Sequence, residues 1–159
     1  MRRQTGKQRQ MGLTSVEFAI IGSIVFVVLF GVIEMGRALF VVNTLAEATR
    51  RGARMAAVCP VGSGAPASAA VFDNGSGSSS VVNGLTTGNI EVDYLDLNGN
   101  VLPNPTATFG AIDYVRVKIV GFTLPLYIPF VLPTLSLSGF AATIPRESLG
   151  ITRTAVEGC

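Results

Sequence analysis

The sequence predicts an α+β protein in which one long N-terminal membrane-spanning helix, about residues 14–58, precedes a small, mostly antiparallel β-domain. Three observations carry this reading: an apolar run near the N-terminus with a single ionisable group, no proline before Pro60, and alternating strand patterns from residue 90 onward. A chain of 159 residues has room for one modest core. Hydrophobic residues make up 48% and charged residues 14%, against roughly 25% charged in an ordinary soluble domain.

The first twelve residues, MRRQTGKQRQMG, carry Arg2, Arg3, Lys7 and Arg9 and no acid. This charge asymmetry marks a targeting segment rather than a basic binding face, and no nucleic-acid partner is expected. From Val16 to Ile33 the chain reads VEFAIIGSIVFVVLFGVI, with Glu17 its one ionisable group. At about 1.5 Å per residue this run spans roughly 27 Å, the hydrocarbon thickness of a bilayer. It lacks the polar stripe of a soluble core helix. The transmembrane segment therefore starts near Val16 and ends between Ile33 and Phe40, with membrane lipid as its first partner. Beyond it the pattern stays helical. Leu45, Ala46, Thr49, Ala53, Ala56 and Ala57 form a narrow face of mostly small residues, while Arg50, Arg51 and Arg54 lie elsewhere, as a solvated face or a lipid-phosphate contact. Cys59-Pro60 ends the helix, because proline disfavours helical geometry in the residue before it.

Residues 59–89, rich in Pro, Gly, Ser and Ala, read as a flexible loop with a short helical turn around Ala67–Phe72. Residues 90–159 read as the β-domain. Ile90–Tyr94 alternates, and the Asn98-Gly99 pair suggests a hairpin to Val101. In Tyr114–Val120, Val115, Val117 and Ile119 share one face and Arg116 and Lys118 the other. FTLPLYIPFVLP, residues 122–133, is too broken by proline for a central strand. It is expected to pack on the sheet, the long helix or the membrane surface. Thr134–Ile144 is expected to form a last strand with Leu135 and Leu137 inward.

The composition also limits the chemistry. There is no histidine, hence neither the commonest general base nor the commonest metal ligand. Two cysteines are too few for a zinc site. No catalytic residue, metal or cofactor is expected: Asp93, Asp96 and Asp113 could provide paired carboxylates, but Asp96 abuts the Asn-Gly turn and the other two suit exposed strand positions.

The sharpest local feature is Gly12-Leu13-Thr-Ser-Val-Glu17: a basic leader ending in glycine, with glutamate five residues on, inside the apolar run. It resembles the signal of type IV prepilins, in which a prepilin peptidase cuts after the glycine on the cytoplasmic side; here the cut would fall between Gly12 and Leu13. A carboxylate in the apolar end of a membrane helix is costly without a partner. Cleavage would supply one, the new ammonium of Leu13 on the same or a neighbouring subunit; simple hydration at the headgroups is the alternative. Arg37, Arg50 and Arg51 nearly balance the leader's charges, so the positive-inside rule alone does not orient the helix. The processing signal puts the N-terminus in the cytoplasm.

Val16-Glu17-Phe18-Ala19, Gly31-Val-Ile-Glu34-Met-Gly36-Arg37 and Ala46-Glu-Ala-Thr-Arg-Arg-Gly52-Ala53-Arg54-Met-Ala-Ala-Val58 resemble the TadE-like family of the tight-adherence (Tad/Flp) pilus system at fixed spacing. LSLSGFAATIPRE resembles that family's ending, and Ser23 departs from a common proline, which implies a straighter helix. The resemblance implies a pilin-like fold and a non-enzymatic minor pilin or pseudopilin of the inner membrane. Its partners would be prepilin peptidase, other pilins and Tad pilus assembly proteins. An anchored extracytoplasmic binding module is the alternative. Glu34 and Arg37 match the family motif, as an intrahelical pair or a subunit contact, and Gly22, Gly31 and Gly36 would permit close helix approach. Outside the cytoplasm a bridge between Cys59 and Cys159 would tie the tail to the helix end; separate thiols, or a partner in another chain, are the alternatives.

Overall fold

The computed structural model describes residues 10–127, 134–151 and 158–159. Residues 1–9 of the expected leader, and residues 128–133 and 152–157, lie outside the described residues. Helix α1 spans Gln10–Val58 without a break, 49 residues and roughly 74 Å at the usual helical rise. Nothing in this stretch removes a backbone donor, and Ser23 and Thr44 return their hydroxyls to the Ile20 and Phe40 carbonyls, each at 2.8 Å. After α1 come α2 (Ala65–Ala70), β1 (Ile90–Leu95), β2 (Tyr114–Ile119), β3 (Thr123–Pro125), β4 (Thr134–Ser136) and β5 (Ala141–Pro145). The α+β arrangement expected from the sequence is the one observed.

The outer half of α1 buries one continuous stripe: Val41, Leu45, Ala48, Thr49, Gly52, Ala53, Ala56 and Ala57. These positions recur every three or four residues, as one helix face requires. Against them packs a three-stranded antiparallel sheet in the order β1-β2-β5, with β2 central. Val115, Val117 and Ile119 of β2 point into the core, and Arg116 and Lys118 lie on the opposite face. One core cluster joins Val41, Leu45 and Ala48 to Val71, Val82, Leu85, Ile119, Phe122 and Leu124. A second, further along the helix, joins Ala53 and Ala56 to Tyr94, Ile112, Val115, Val117 and Leu149.

Three expectations are revised. The segment 59–89, expected as a flexible loop with a short helical turn around Ala67–Phe72, has that turn as α2 but is otherwise packed, sending Val71, Val82 and Leu85 into the core; Asp73 Oδ1 accepts the amides of Gly75, Ser76 and Gly77 at 2.8–2.9 Å. The Asn98-Gly99 turn closes only a short hairpin. Asp96 accepts the amides of Asn98 and Asn100, the ladder stops at the Leu95–Val101 bridge, and the long partner of β1 is β2. The expected last strand is split: β4 pairs with β3 in a separate ribbon and β5 joins the main sheet. Gly139 between them has φ +99°, a backbone that breaks a strand. As the outer strand of a two-stranded ribbon, β4 leaves Leu135 42% exposed rather than inward.

The chain's end closes the helix. The last carbonyls of an α-helix lack intrahelical donors. Here the Glu147 and Leu149 amides donate to Ala57 O at 3.1 Å, and the Gly150 amide donates to Val58 O at 2.6 Å. Gly150 (φ +79°) lies so close to Pro60 that a methyl group there would stand 2.5 Å from the ring. Cys59 is joined to Cys159 by a disulfide with a Cα–Cα distance of 5.7 Å.

The contact between α1 and the sheet depends on absent side chains. A methyl at Gly52 would meet Ala70 Cβ at 2.9 Å and Val117 Cγ1 at 3.1 Å, whereas one at Gly36 would meet nothing within 4 Å. Gly52→Ala is therefore expected to destabilise the protein by about 1–3 kcal/mol despite alanine's better helix propensity, through overpacking. Gly36→Ala is expected to be neutral or slightly stabilising, and thermal unfolding of both variants in detergent checks the contrast.

Candidate functional site at the lipid boundary

The helix changes character near Glu34. Over Thr14–Val58 it is long and apolar enough to cross a membrane, and none of its most apolar 18-residue window is buried against the rest of the protein. Phe18, Ile20, Ile21, Ile24, Phe26, Leu29, Phe30 and Val32 are all exposed. A soluble core helix would hide such a face, so the arrangement fits a single-pass membrane protein. The backbone at Gly12 and Leu13 belongs to α1. Glu17 is exposed in this apolar stretch, and no cation among the described residues pairs with it.

Gly22, Gly31 and Gly36 are open, with no atom within 4 Å of where a side chain would begin. They do not share a face. At about 100° per residue, Gly31 is turned roughly 180° from Gly22, while Gly36 returns to within about 40° of it. The glycine pattern alone did not separate these positions; the helical period does.

Glu34 is the first residue of the helix that the β-domain covers, with 7% of its surface exposed. Its carboxylate accepts Arg37 Nε at 3.0 Å and Arg37 Nη2 at 2.5 Å, and also the Tyr127 amide at 3.2 Å. Arg37 in turn donates to the Pro125 carbonyl and lies 5.0 Å from the centre of the Tyr127 ring. The intrahelical pair expected from the spacing is thus one half of a clamp, and the other half is the end of β3. Pro125 and Tyr127 gave no signal in the sequence, since a main-chain donor and acceptor nearly 90 residues away leave no pattern. Of the three arginines further along, Arg51 stacks on Phe72 at 5.1 Å, Arg50 reaches Glu47 at 3.8 Å, and Arg54 is exposed.

The carboxylates on the sheet are engaged structurally. Asp93 Oδ2 meets Arg116 Nη2 at 2.6 Å and Lys118 Nζ at 3.0 Å, and Lys118 also meets Glu91 at 3.1 Å. These are the cross-strand partners that the β1–β2 register sets side by side. Burial pushes the Asp93 carboxyl up, but hydrogen bonds from Arg116 and Lys118, with their charges, outweigh it and hold the group below the usual aspartate value. Asp96 holds its turn, and Asp113 enters β2 with its amide on the Leu95 carbonyl at 2.8 Å. Among the described residues no cluster of three His, Cys, Asp or Glu side chains suited to a metal occurs.

The TadE-like protein family model matches residues 12–54, from the expected cleavage glycine to the arginine-bearing turn of α1. No curated protein and no solved structure matches the chain.

Two outcomes follow. Arg37→Met is expected to leave Glu34 without its cation and to loosen the end of β3, so amide exchange at Tyr127 should speed up while exchange in β2 stays unchanged. Because the folded pKa of Asp93 is depressed, its pairing stabilises the protein above the unfolded value and is lost as pH falls through the folded one. Asp93→Asn should therefore unfold at lower temperature at neutral pH and show a flatter acid limb, measured as melting temperature against pH.

Proposed function

We propose that this chain, TadE-like over residues 12–54 and on that ground associated with the Tad pilus, is a minor pilin or pseudopilin. In this reading it is a structural subunit matured by prepilin peptidase and assembled with other pilins and Tad assembly proteins. The observation that carries the reading is the division of α1: its first half is bare and apolar, while its second half is fully used as the spine of a small domain. A helix built this way can exchange lipid for neighbouring helices along its bare half without disturbing the domain.

Glu17 supports the same reading. It is exposed within the apolar half, and the ammonium freed at Leu13 by cleavage after Gly12 would stand about one helical turn away. Pairing with that ammonium on a neighbouring subunit would set axial register, and the face shared by Gly22 and Gly36 would let a second helix approach. The N-terminus then lies in the cytoplasm and the domain outside the inner membrane, a location compatible with the Cys59–Cys159 disulfide.

A second reading is an anchored binding module that never enters a filament. It is favoured by the Glu34–Arg37 clamp, which spends on the chain's own β3 two groups otherwise available to another subunit. Intact-mass measurement of the protein from its native membrane tests the proposal. The expected species begins at Leu13 and is lighter by the hydrogens lost to one disulfide. A species retaining Met1–Gly12 in cells with active prepilin peptidase would overturn the maturation and favour the module.

A further inference from the structure

We propose that Asn83–Gly84 is a site of spontaneous chemical modification, where the chain's own backbone converts asparagine to aspartate and isoaspartate. The site lies in the segment after α1 and does not depend on the membrane reading of that helix.

In an Asn-Gly pair the glycine nitrogen can reach the asparagine side-chain carbonyl, because no Cβ crowds its approach. A C–N bond forms, the side-chain amide leaves as ammonia, and a cyclic succinimide results. Solvent water then opens the ring at either carbonyl. One opening gives aspartate; the other gives isoaspartate, in which the main chain runs through the side-chain methylene. No oxidant or cofactor takes part. The step begins with loss of a proton from the glycine amide, so it quickens as pH rises. It also needs that amide free of other bonds.

Asparagine precedes glycine at Asn74–Gly75, Asn83–Gly84 and Asn98–Gly99. All of these residues are exposed, and the glycines share a left-handed backbone, with φ of +99°, +83° and +83°. A methyl group at any of these glycines would meet nothing within 4 Å. Exposure, backbone and space therefore do not separate the pairs. The amides do. Gly75 N–H donates to Asp73 Oδ1 at 2.9 Å, and Gly99 N–H donates to Asp96 O at 3.0 Å. The same aspartates tie those loops further. Asp73 Oδ1 also takes the Ser76 and Gly77 amides, and Asp96 Oδ1 those of Asn98 and Asn100. Attack at either pair must first pull the nitrogen away from its acceptor. The Gly84 amide has no acceptor among the described residues, and a single backbone bond, Leu85 N–H to Val82 O at 3.2 Å, closes its turn.

The position gives the reaction a structural consequence. Val82 and Leu85, on either side of the pair, are buried in the first core cluster with Val41, Leu45 and Ala48 of α1. Leu85 O also accepts the Ser79 amide at 2.8 Å. Isoaspartate at position 83 lengthens the main chain between these anchors by a methylene and adds a carboxylate. Both anchors cannot then keep their places in a close-packed core. The cover on this side of α1 loosens as the molecule ages.

The test follows the full-length protein in detergent through incubation at mildly alkaline pH. Peptides are read by mass spectrometry, and an isoaspartate-specific methyltransferase separates isoaspartate from aspartate. A sample reduced and denatured in urea is the reference, since there the pairs lose their different bonds. In the reference, all three pairs are expected to deamidate within a few-fold of one another. In the folded protein Asn83 should stay within a few-fold of its reference rate, while Asn74 and Asn98 slow by at least an order of magnitude. Asn83 slowed to the level of either other pair overturns the proposal. Stability is the second readout. Aged wild type should melt at a lower temperature than fresh protein, whereas aged Asn83→Gln, whose longer side chain closes a ring far more slowly, should not drift. Equal drift in the two proteins, or no drift in wild type that has accumulated isoaspartate, overturns the assigned consequence.

Discussion

Between Ala48 and Ala57, helix α1 shows the sheet a surface made almost entirely of backbone and methyl groups: Ala48, Gly52, Ala53, Ala56 and Ala57, with Thr49 bonded back to its own helix. Side chains of β2 can settle directly on that surface. Val117 of β2 and Ala70 of α2 together come so near the helix that Gly52 has no room for a methyl group. The rest of the domain is arranged by this approach. With β2 central and docked, β1 and β5 flank it, the charged ladder of Asp93, Arg116 and Lys118 falls on the outer face, and the segment after the helix folds back to fill the sides. Larger residues on the stripe would push the sheet outward and leave each of those contacts unmade.

The same helix answers to two solvents, and their requirements meet at Glu34. Before it, every side must be apolar; after it, one side must be small and the others polar. The transition has to hold a carboxylate and a guanidinium close to lipid, where unsatisfied polar groups are expensive. The pair neutralises itself within one turn, and its remaining hydrogen-bond capacity goes to the backbone at the end of β3. The end of the exposed apolar run and the boundary of the domain are therefore one set of contacts.

This double demand explains what could be read in the sequence. The span, the stop at Pro60 and the inward faces of Val115, Val117 and Ile119 were legible, because each follows from a local rule: length, proline geometry or a period of two. The outer stripe was visible at Leu45, Thr49, Ala53, Ala56 and Ala57. Its inner members, Ala38 and Val41, were hidden, since beside the apolar run the packed face has little polar background to contrast with. Val71, Val82 and Leu85 were masked in the same way by glycine and serine around them. The strand order depends on pairings roughly 20–30 residues apart and the capping of α1 by residues 147–150 on contacts about 90 residues apart, and neither leaves a periodic trace. The clamp was half legible: Glu34 and Arg37 by their spacing, Pro125 and Tyr127 not at all.

The disulfide changes how the molecule would carry tension. Cys59 and Cys159 are 100 residues apart in sequence, so residues 59–159 form a covalent ring hung from the end of α1. A pull between the bilayer and any point on the β-domain divides at Cys59 into two strands of chain, one through residue 60 and one through residue 159. Neither branch can be drawn out alone while the bridge holds. Extension stops at the slack of the ring, and the load returns to α1.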